Sequence, residues 1–107
     1  MVLAKKVVLI TGASSGIGMA CARSFASEGC NLILTARRKD LLDSLSNDLS
    51  AVHKVNVLPV QLDVRNFKNI NEELSNLPSN FQDIDILVNN AGKALGTEKI
   101  QSGVLEN

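Results

Sequence analysis

Short apolar runs alternate along this chain with longer stretches in which apolar residues recur every three or four positions. The runs predict four strands, at Val7–Thr11, Asn31–Thr35, Val55–Val60 and Ile84–Val88. The longer stretches predict three amphipathic helices, whose apolar faces we assign to the protein core. Those faces carry Ile17, Cys21 and Phe25 in the first helix, Leu41, Leu42, Leu45 and Leu49 in the second, and Phe67, Ile70, Leu74 and Leu77 in the third.

Strands separated by helices are typical of a parallel sheet, and strands that are apolar throughout predict burial on both faces. Connections of the usual right hand then predict an α/β fold, a Rossmann-like parallel sheet of strand order 3-2-1-4. We expect this to be the N-terminal half of a doubly wound fold, an incomplete three-layer α/β/α arrangement with strand four at an exposed edge. Residues 1–92 are expected to form this half-domain, and the periodicity is lost in a tail over 93–107.

The composition is that of an ordinary globular domain, with 107 residues of which 45% are hydrophobic and 21% charged. Lys plus Arg and Asp plus Glu are equal at 11 each, so no net charge favours nucleic acid or a membrane as a partner. Cys21 and Cys30 lack the spacing of a metal or redox motif and are expected to be reduced and buried. The first apolar run is too short for a signal peptide, which predicts a cytoplasmic protein.

A glycine-rich segment, Thr11-Gly12-Ala13-Ser14-Ser15-Gly16-Ile17-Gly18, lies between the first predicted strand and the first predicted helix. A dinucleotide pyrophosphate binds at such a place, because the N-terminus of a helix offers unpaired N–H donors and a favourable dipole. Glycines there permit a tight turn, close approach of the ligand and close packing of the helix on the strand. The alternative is a glycine turn used only for packing. The candidate contacts are Gly12, Ser14, Ser15, Gly16, Ile17 and Gly18, with Ser14 or Ser15 as the helix N-cap.

Two arginines, Arg37 and Arg38, follow the second predicted strand. In a Rossmann unit an acidic residue at this place binds the ribose of NAD, whereas an arginine accommodates the 2′-phosphate of NADP. The pair therefore predicts NADP, with Arg37 as the main contact and Arg38 as its helper, since a guanidinium binds phosphate oxygens in bidentate fashion. The alternative is a solvated basic pair at the start of a helix.

Polar side chains also follow the third and fourth predicted strands. Asp63 either accepts a hydrogen bond from an adenine amino group or caps the next helix. The fourth strand ends in Asn89-Asn90-Ala91-Gly92, whose amides must pair with neighbouring backbone or face a ligand. Ala91 and Gly92 leave room for a ribose, although asparagine and glycine are also common in a plain strand-ending turn.

Together, the glycine-rich segment, Leu62-Asp63-Val64 and Asn89-Asn90-Ala91-Gly92 resemble the short-chain dehydrogenase/reductase family. The resemblance implies that Asp63 and Val64 contact the adenine of NADP, that Asn89 to Gly92 line the adenosine side and steady the sheet, and that Arg37 binds the 2′-phosphate. The stretch from Asn89 to Gly96 is further similar to NADP-dependent 3-hydroxy acid dehydrogenases that oxidise serine or allo-threonine. Several NADP-using relatives carry a basic residue before the second glycine, where this chain has Ser15.

Members of this family transfer hydride between the cofactor and an alcohol or carbonyl, with a Tyr-x-x-x-Lys pair and a serine to exchange the proton and orient the substrate. The sequence has no tyrosine, so we assign no catalytic residue. We expect a truncated chain that binds NADP(H) and would meet an alcohol or carbonyl substrate only if completed. The alternative is a non-catalytic interaction module that pairs, through its strand-four edge, with a full-length relative or a complementary fragment.

Overall fold

A computed structural model describes residues 3–62 and 72–90 of the chain. Residues 72–75 are helical, and a 3₁₀ helix spans Ser79–Phe81. The remaining elements, in chain order, are β1 (Val7–Thr11), α1 (Gly16–Ser27), β2 (Asn31–Ala36), α2 (Lys39–His53), β3 (Val57–Gln61) and β4 (Ile86–Asn89).

The four strands form one parallel sheet in the order β3-β2-β1-β4, as the sequence predicts. In the register, Val8 of β1 pairs with Leu32 of β2 on one side and with Ile86 of β4 on the other. Because all strands run in the same direction, their carboxyl ends meet at one edge of the sheet. The strand order reverses between β1 and β4, and ligands of open α/β sheets bind outside the carboxyl ends at such a point.

Two apolar clusters cover the two faces of the sheet. The larger contains Val8, Ile10, Leu32 and Leu34 from the strands together with Leu42, Leu45 and Leu49 from α2. The smaller combines Val7, Leu9 and Ile33 with Leu77 and Phe81 from the segment before β4. Helices α1 and α2 therefore pack on one face and the segment before β4 on the other, as right-handed crossovers require.

Strands β3 and β4 each begin two residues later than predicted, and β2, β3 and β4 each end one residue later. Strand β3 begins at Val57 instead of Val55, because the Val55 carbonyl accepts a hydrogen bond from Ser50 Oγ at 3.1 Å and is held in the turn after α2. Strand β4 begins at Ile86 instead of Ile84. Just before β4, the Asp85 carboxylate accepts a hydrogen bond from the Val7 N–H at 2.9 Å. A side chain thus takes the place of the backbone acceptor that a continued strand would offer.

The assignment of the first two helical stripes to the core is wrong at one residue each. Ile17 is 46% exposed and Leu41 is 41% exposed, and both lie in the first turn of their helix. The buried residues of α1 are instead Gly18, Ala22 and Ala26, while Cys21 and Phe25 pack at the margin of the core. Small side chains let α1 approach the sheet closely, which apolar spacing alone does not predict. Of the third stripe, Leu77 is buried and Leu74 partly buried, whereas Phe67 and Ile70 lie outside the described residues.

Candidate functional site

The loop after β1 is a tight turn that a glycine makes possible. Gly12 has φ +64°, in the left-handed region, and its carbonyl accepts a hydrogen bond from the Ser15 N–H at 3.1 Å. The next residue is fixed to the neighbouring strand, since the Ala13 N–H donates to the Thr35 carbonyl at 2.9 Å. Ser14 lies half-buried in the same turn. The loop is thus held on both sides before α1 begins.

Ser15, and not Ser14, is the N-cap of α1. Its Oγ accepts a hydrogen bond from the Gly18 N–H at 3.4 Å and donates to the Gly12 carbonyl at 3.0 Å. Its carbonyl accepts from the Met19 N–H at 2.8 Å. Among the described hydrogen bonds, none uses the N–H groups of Gly16 or Ile17, which are the first two of the helix. Those two donors, with the helix dipole behind them, make this end of α1 suited to an anion.

The two glycines of α1 do different work. A Cβ built on Gly16 would meet nothing within 4 Å, so the space above this residue is open to a ligand. A Cβ on Gly18 would lie within 2.9 Å of Asn90 Nδ2 and would come closer still to the Gly12 carbonyl oxygen. Gly18 is therefore required for packing, as the sequence predicts, whereas the role of Gly16 in ligand access stays a prediction.

Asn90, directly after β4, joins that strand to the loop after β1. The side chain is 1% exposed, and its Nδ2 donates to the Gly12 carbonyl at 3.0 Å and to Ser15 Oγ at 2.6 Å. Its Oδ1 is buried without a hydrogen-bond partner in the described part of the chain. Nearby, Asn89 Oδ1 accepts from the Thr11 hydroxyl at 3.2 Å. The Asn90 amide thus pairs with the Gly12 backbone, as in the first of the two alternatives that the sequence left open, whereas the Asn89 amide pairs with the Thr11 side chain.

This arrangement explains the serine before Gly16. Ser15 Oγ takes part in three hydrogen bonds, with Asn90, Gly12 and Gly18, and is turned into the loop. A long basic side chain at this position would leave the Asn90 amide without one of its acceptors. The sequence alone could not show this coupling, because Ser15 and Asn90 are far apart along the chain.

The two arginines after β2 differ in their partners. Arg38 is the N-cap residue of α2, and its guanidinium bonds the Asp40 carboxylate through Nη2 at 3.1 Å and Nε at 3.4 Å. Arg37 is exposed and has no carboxylate partner within residues 3–62 and 72–90. Its carbonyl accepts a hydrogen bond from Gln61 Nε2 at 3.1 Å, a contact with the end of β3 that sequence reasoning missed.

The carboxyl edge of the sheet brings together the end of β1, the start of α1, Arg37 after β2, and Asn90 after β4. Arg38 lies at the same edge but is engaged by Asp40. The predicted contacts Asp63, Val64, Ala91 and Gly92 lie outside the described residues.

The pKa shifts at the carboxyl edge and in the core have opposite directions. The hydrogen bond from Arg38, followed by one from the Leu41 N–H, lowers the pKa of the Asp40 carboxyl. Burial raises the pKa of the Cys21 and Cys30 thiols, and both cysteines are free, as predicted, although Cys21 is only partly buried.

Within the described ranges no three residues of the kinds that bind metals gather into one site. In those same ranges no helix is long and apolar enough to cross a membrane.

Residues 6–105 match the family model for short chain dehydrogenase. Among curated proteins, the NADP-dependent 3-hydroxy acid dehydrogenase of Schizosaccharomyces pombe is 47% identical over 96 residues, covering 89% of this chain and 37% of the relative. The enzyme of the same name in Salmonella typhi is 45% identical over 101 residues, covering 94% of this chain and 39% of the relative. The chain thus spans well under half the length of these relatives.

Solved structures agree in fold and in sequence. The L-sorbose reductase of Gluconobacter frateurii, in complex with NADPH and L-sorbose, superposes with a TM-score of 0.77 at 40% identity, covering 84% of this chain and 35% of that one. The serine dehydrogenase of Escherichia coli gives a TM-score of 0.72 at 43% identity, covering 78% of this chain and 37% of that one. Because the family model matches nearly the whole length of this chain, the chain belongs to the short-chain dehydrogenase family.

Proposed function

We propose that this chain binds the adenosine and pyrophosphate end of NADP(H) at the carboxyl edge of its sheet. The observation that carries the proposal is the start of α1, where two N–H groups have no described acceptor and the space over Gly16 is open. A pyrophosphate fits there because it supplies acceptors and negative charge to a helix N-terminus. The Asn90 bridge holds the loop in this shape before any ligand arrives.

NADP, rather than NAD, is the expected cofactor because of Arg37. Its exposed guanidinium follows β2, where a Rossmann unit meets the adenosine ribose, and lacks a competing carboxylate in the described part of the chain. The names of the relatives in Schizosaccharomyces pombe and Salmonella typhi include NADP, and the L-sorbose reductase structure contains NADPH. We expect the adenine to contact Asp63 and Val64, and the adenosine side to run along Asn89, Asn90, Ala91 and Gly92.

The family reaction is hydride transfer between NADP and an alcohol or carbonyl, and the named relatives make a 3-hydroxy acid the first substrate class to test. The nicotinamide of a bound cofactor would donate the hydride as NADPH or accept it as NADP+. The residues of this chain orient the other end of the cofactor and move no proton, since the family's tyrosine is not among the 107 residues. The 107-residue chain is therefore expected to bind the cofactor without turning over an alcohol or a ketone.

Affinity chromatography on immobilised 2′,5′-ADP tests the nucleotide site. The unaltered chain is expected to be retained and to elute with free 2′,5′-ADP. Loss of a charge-assisted hydrogen bond to phosphate weakens binding by roughly tenfold or more, so Arg37→Ala should elute early. Arg23→Ala is the matched control, because Arg23 is an exposed arginine of α1 that pairs with Asp48 at 3.2 Å instead of lying at the carboxyl edge. Equal retention of both variants would contradict the assignment.

Within the described residues β4 is the outermost strand beside β1, and this position supports a second candidate, an interaction module. Leu87 in β4 is 40% exposed, and Ile84 just before it is 36% exposed. An apolar strand at a sheet edge offers unpaired backbone groups beside apolar surface, which favours pairing with another chain. Size-exclusion chromatography with a full-length relative would show a joint peak, and Leu87→Lys should abolish it. A chain that elutes alone beside the relative would argue against this candidate.

A further inference from the structure

Three consecutive basic residues, Arg37, Arg38 and Lys39, lead into α2, and two of them are held by acidic residues of that helix. Lys39 Nζ lies 2.8 Å from Asp43 Oδ2. Arg38 makes a two-point contact with Asp40, at 3.1 Å and 3.4 Å. In the described part of the chain, Arg37 alone of the three lacks a carboxylate partner. The formal count of three cations at this edge thus overstates the positive charge offered to an anion.

Asp40 is ionised at neutral pH. The bond from Arg38, and after it the bond from the Leu41 N–H, lowers the pKa of its carboxyl below the ordinary value. Both members of the pair are mostly exposed, so their attraction is screened by water and is weak enough to be exchanged for a stronger partner. Asp40 takes the Nε and Nη2 sides of the Arg38 guanidinium, so an arriving phosphate must either displace the carboxylate or bind the remaining Nη1 side next to its negative charge.

We propose that Asp40 is a specificity-determining residue that holds Arg38 away from the 2′-phosphate and so limits the preference of this chain for NADP. The proposal rests on the nucleotide site proposed above. Arg37 then provides most of the recognition, while Arg38 becomes a helper only when Asp40 releases it. Removing the Asp40 charge is expected to strengthen binding of nucleotides that carry a 2′-phosphate and to leave those without it unchanged.

Isothermal titration of the 107-residue chain with 2′,5′-ADP and with AMP, which differs from it only by lacking the 2′-phosphate, tests this role. Asp40→Asn is expected to bind 2′,5′-ADP about three- to fivefold more tightly, the size of effect that an exposed ion pair allows. Its affinity for AMP should not change. Asp43→Asn is the matched control, since it removes the same charge one turn further along α2 and releases Lys39 instead of Arg38.

The double variant Arg38→Ala with Asp40→Asn separates release of Arg38 from simple removal of a negative charge. If Asp40 acts through Arg38, the gain disappears in the double variant, and Asp40→Ser repeats the gain of Asp40→Asn. A gain that persists without Arg38, or that Asp43→Asn reproduces, overturns the proposal.

Arg37→Ala distinguishes this proposal from the nucleotide site itself. If that variant loses the preference for 2′,5′-ADP while Asp40→Asn changes nothing, the role of Asp40 is overturned and the nucleotide site stands. If neither the unaltered chain nor Asp40→Asn binds 2′,5′-ADP more tightly than AMP, the preference for NADP and the role of Asp40 are both overturned.

Discussion

Replacement of Gly18 by alanine is expected to destabilise the fold, although alanine is the better helix former. The new Cβ would clash with the Gly12 carbonyl oxygen and lie 3.0 Å from Ala13 Cα, both backbone atoms that no side-chain rotation can move away. It would also lie 2.9 Å from Asn90 Nδ2, which donates the two bonds that hold the loop. The clash and the displaced amide act on the same turn.

The magnitude follows from three opposing effects. Overpacking a filled site costs about 1–3 kcal/mol. A buried amide that loses its partners costs about 1–3 kcal/mol. The better helix propensity of alanine offsets about 1 kcal/mol. Taking the middle of each range predicts a loss of about 3 kcal/mol in the free energy of unfolding.

Urea titration followed by far-ultraviolet circular dichroism measures this loss. With an m-value on the order of 1.5 kcal/mol per molar, the midpoint should fall by about 2 M. Gly16→Ala is the matched control in the same motif, because its Cβ would meet nothing within 4 Å. That variant should unfold within about 0.5 kcal/mol of the unaltered chain yet bind 2′,5′-ADP at least about tenfold more weakly, since its methyl group occupies the ligand's approach. Equal stability of the Gly16 and Gly18 variants would refute the reasoning.

Three further predictions concern other contacts. In urea titrations, Ser15→Ala and Asn90→Ala should each lower the free energy of unfolding by about 1–2 kcal/mol. The loss in the double variant should be about 1 kcal/mol smaller than the sum of the two single losses, because the two side chains share one hydrogen bond. Burial raises the pKa of the Cys30 thiol above its usual 9.0, so above that pH the folded chain retains a proton that the unfolded chain releases. The free energy of unfolding should therefore decline as the pH rises above 9.0. In unfolding midpoints measured on both sides of this pH, Cys30→Ala should make the decline less steep. Lys54→Gly should raise the melting temperature, with a gain of about 0.5 kcal/mol, because Lys54 ends α2 at φ 58° and ψ 37°, where glycine avoids a steric cost; a melting temperature at or below that of the unaltered chain would contradict this.

The sequence determined the order of the elements and, through handedness, the strand order β3-β2-β1-β4. Continuous apolar runs such as Val7–Thr11 predicted buried parallel strands because no polar face is needed when helices cover both sides. The packing role of Gly18 could also be inferred, since the close approach of helix and strand at such a turn leaves no space for a Cβ. These features depend on local chemistry and on rules of connection, both of which are written along the chain.

Other features were decided only by the tertiary structure. Ile17 is exposed because the small residues of α1 face the sheet and let the helix approach it closely. The spacing of apolar residues does not predict the distance between helix and sheet. The difference between Arg37 and Arg38 depends on which guanidinium reaches Asp40. Most of all, Asn90 meets Ser15 and Gly12 because β4 lies beside β1, across 75 and 78 residues of chain. Hydrogen bonds between residues so far apart along the chain depend on which strands are neighbours and on where each side chain points. The sequence therefore predicted that these residues lie near the site, and only the fold showed which of them are hydrogen-bonded.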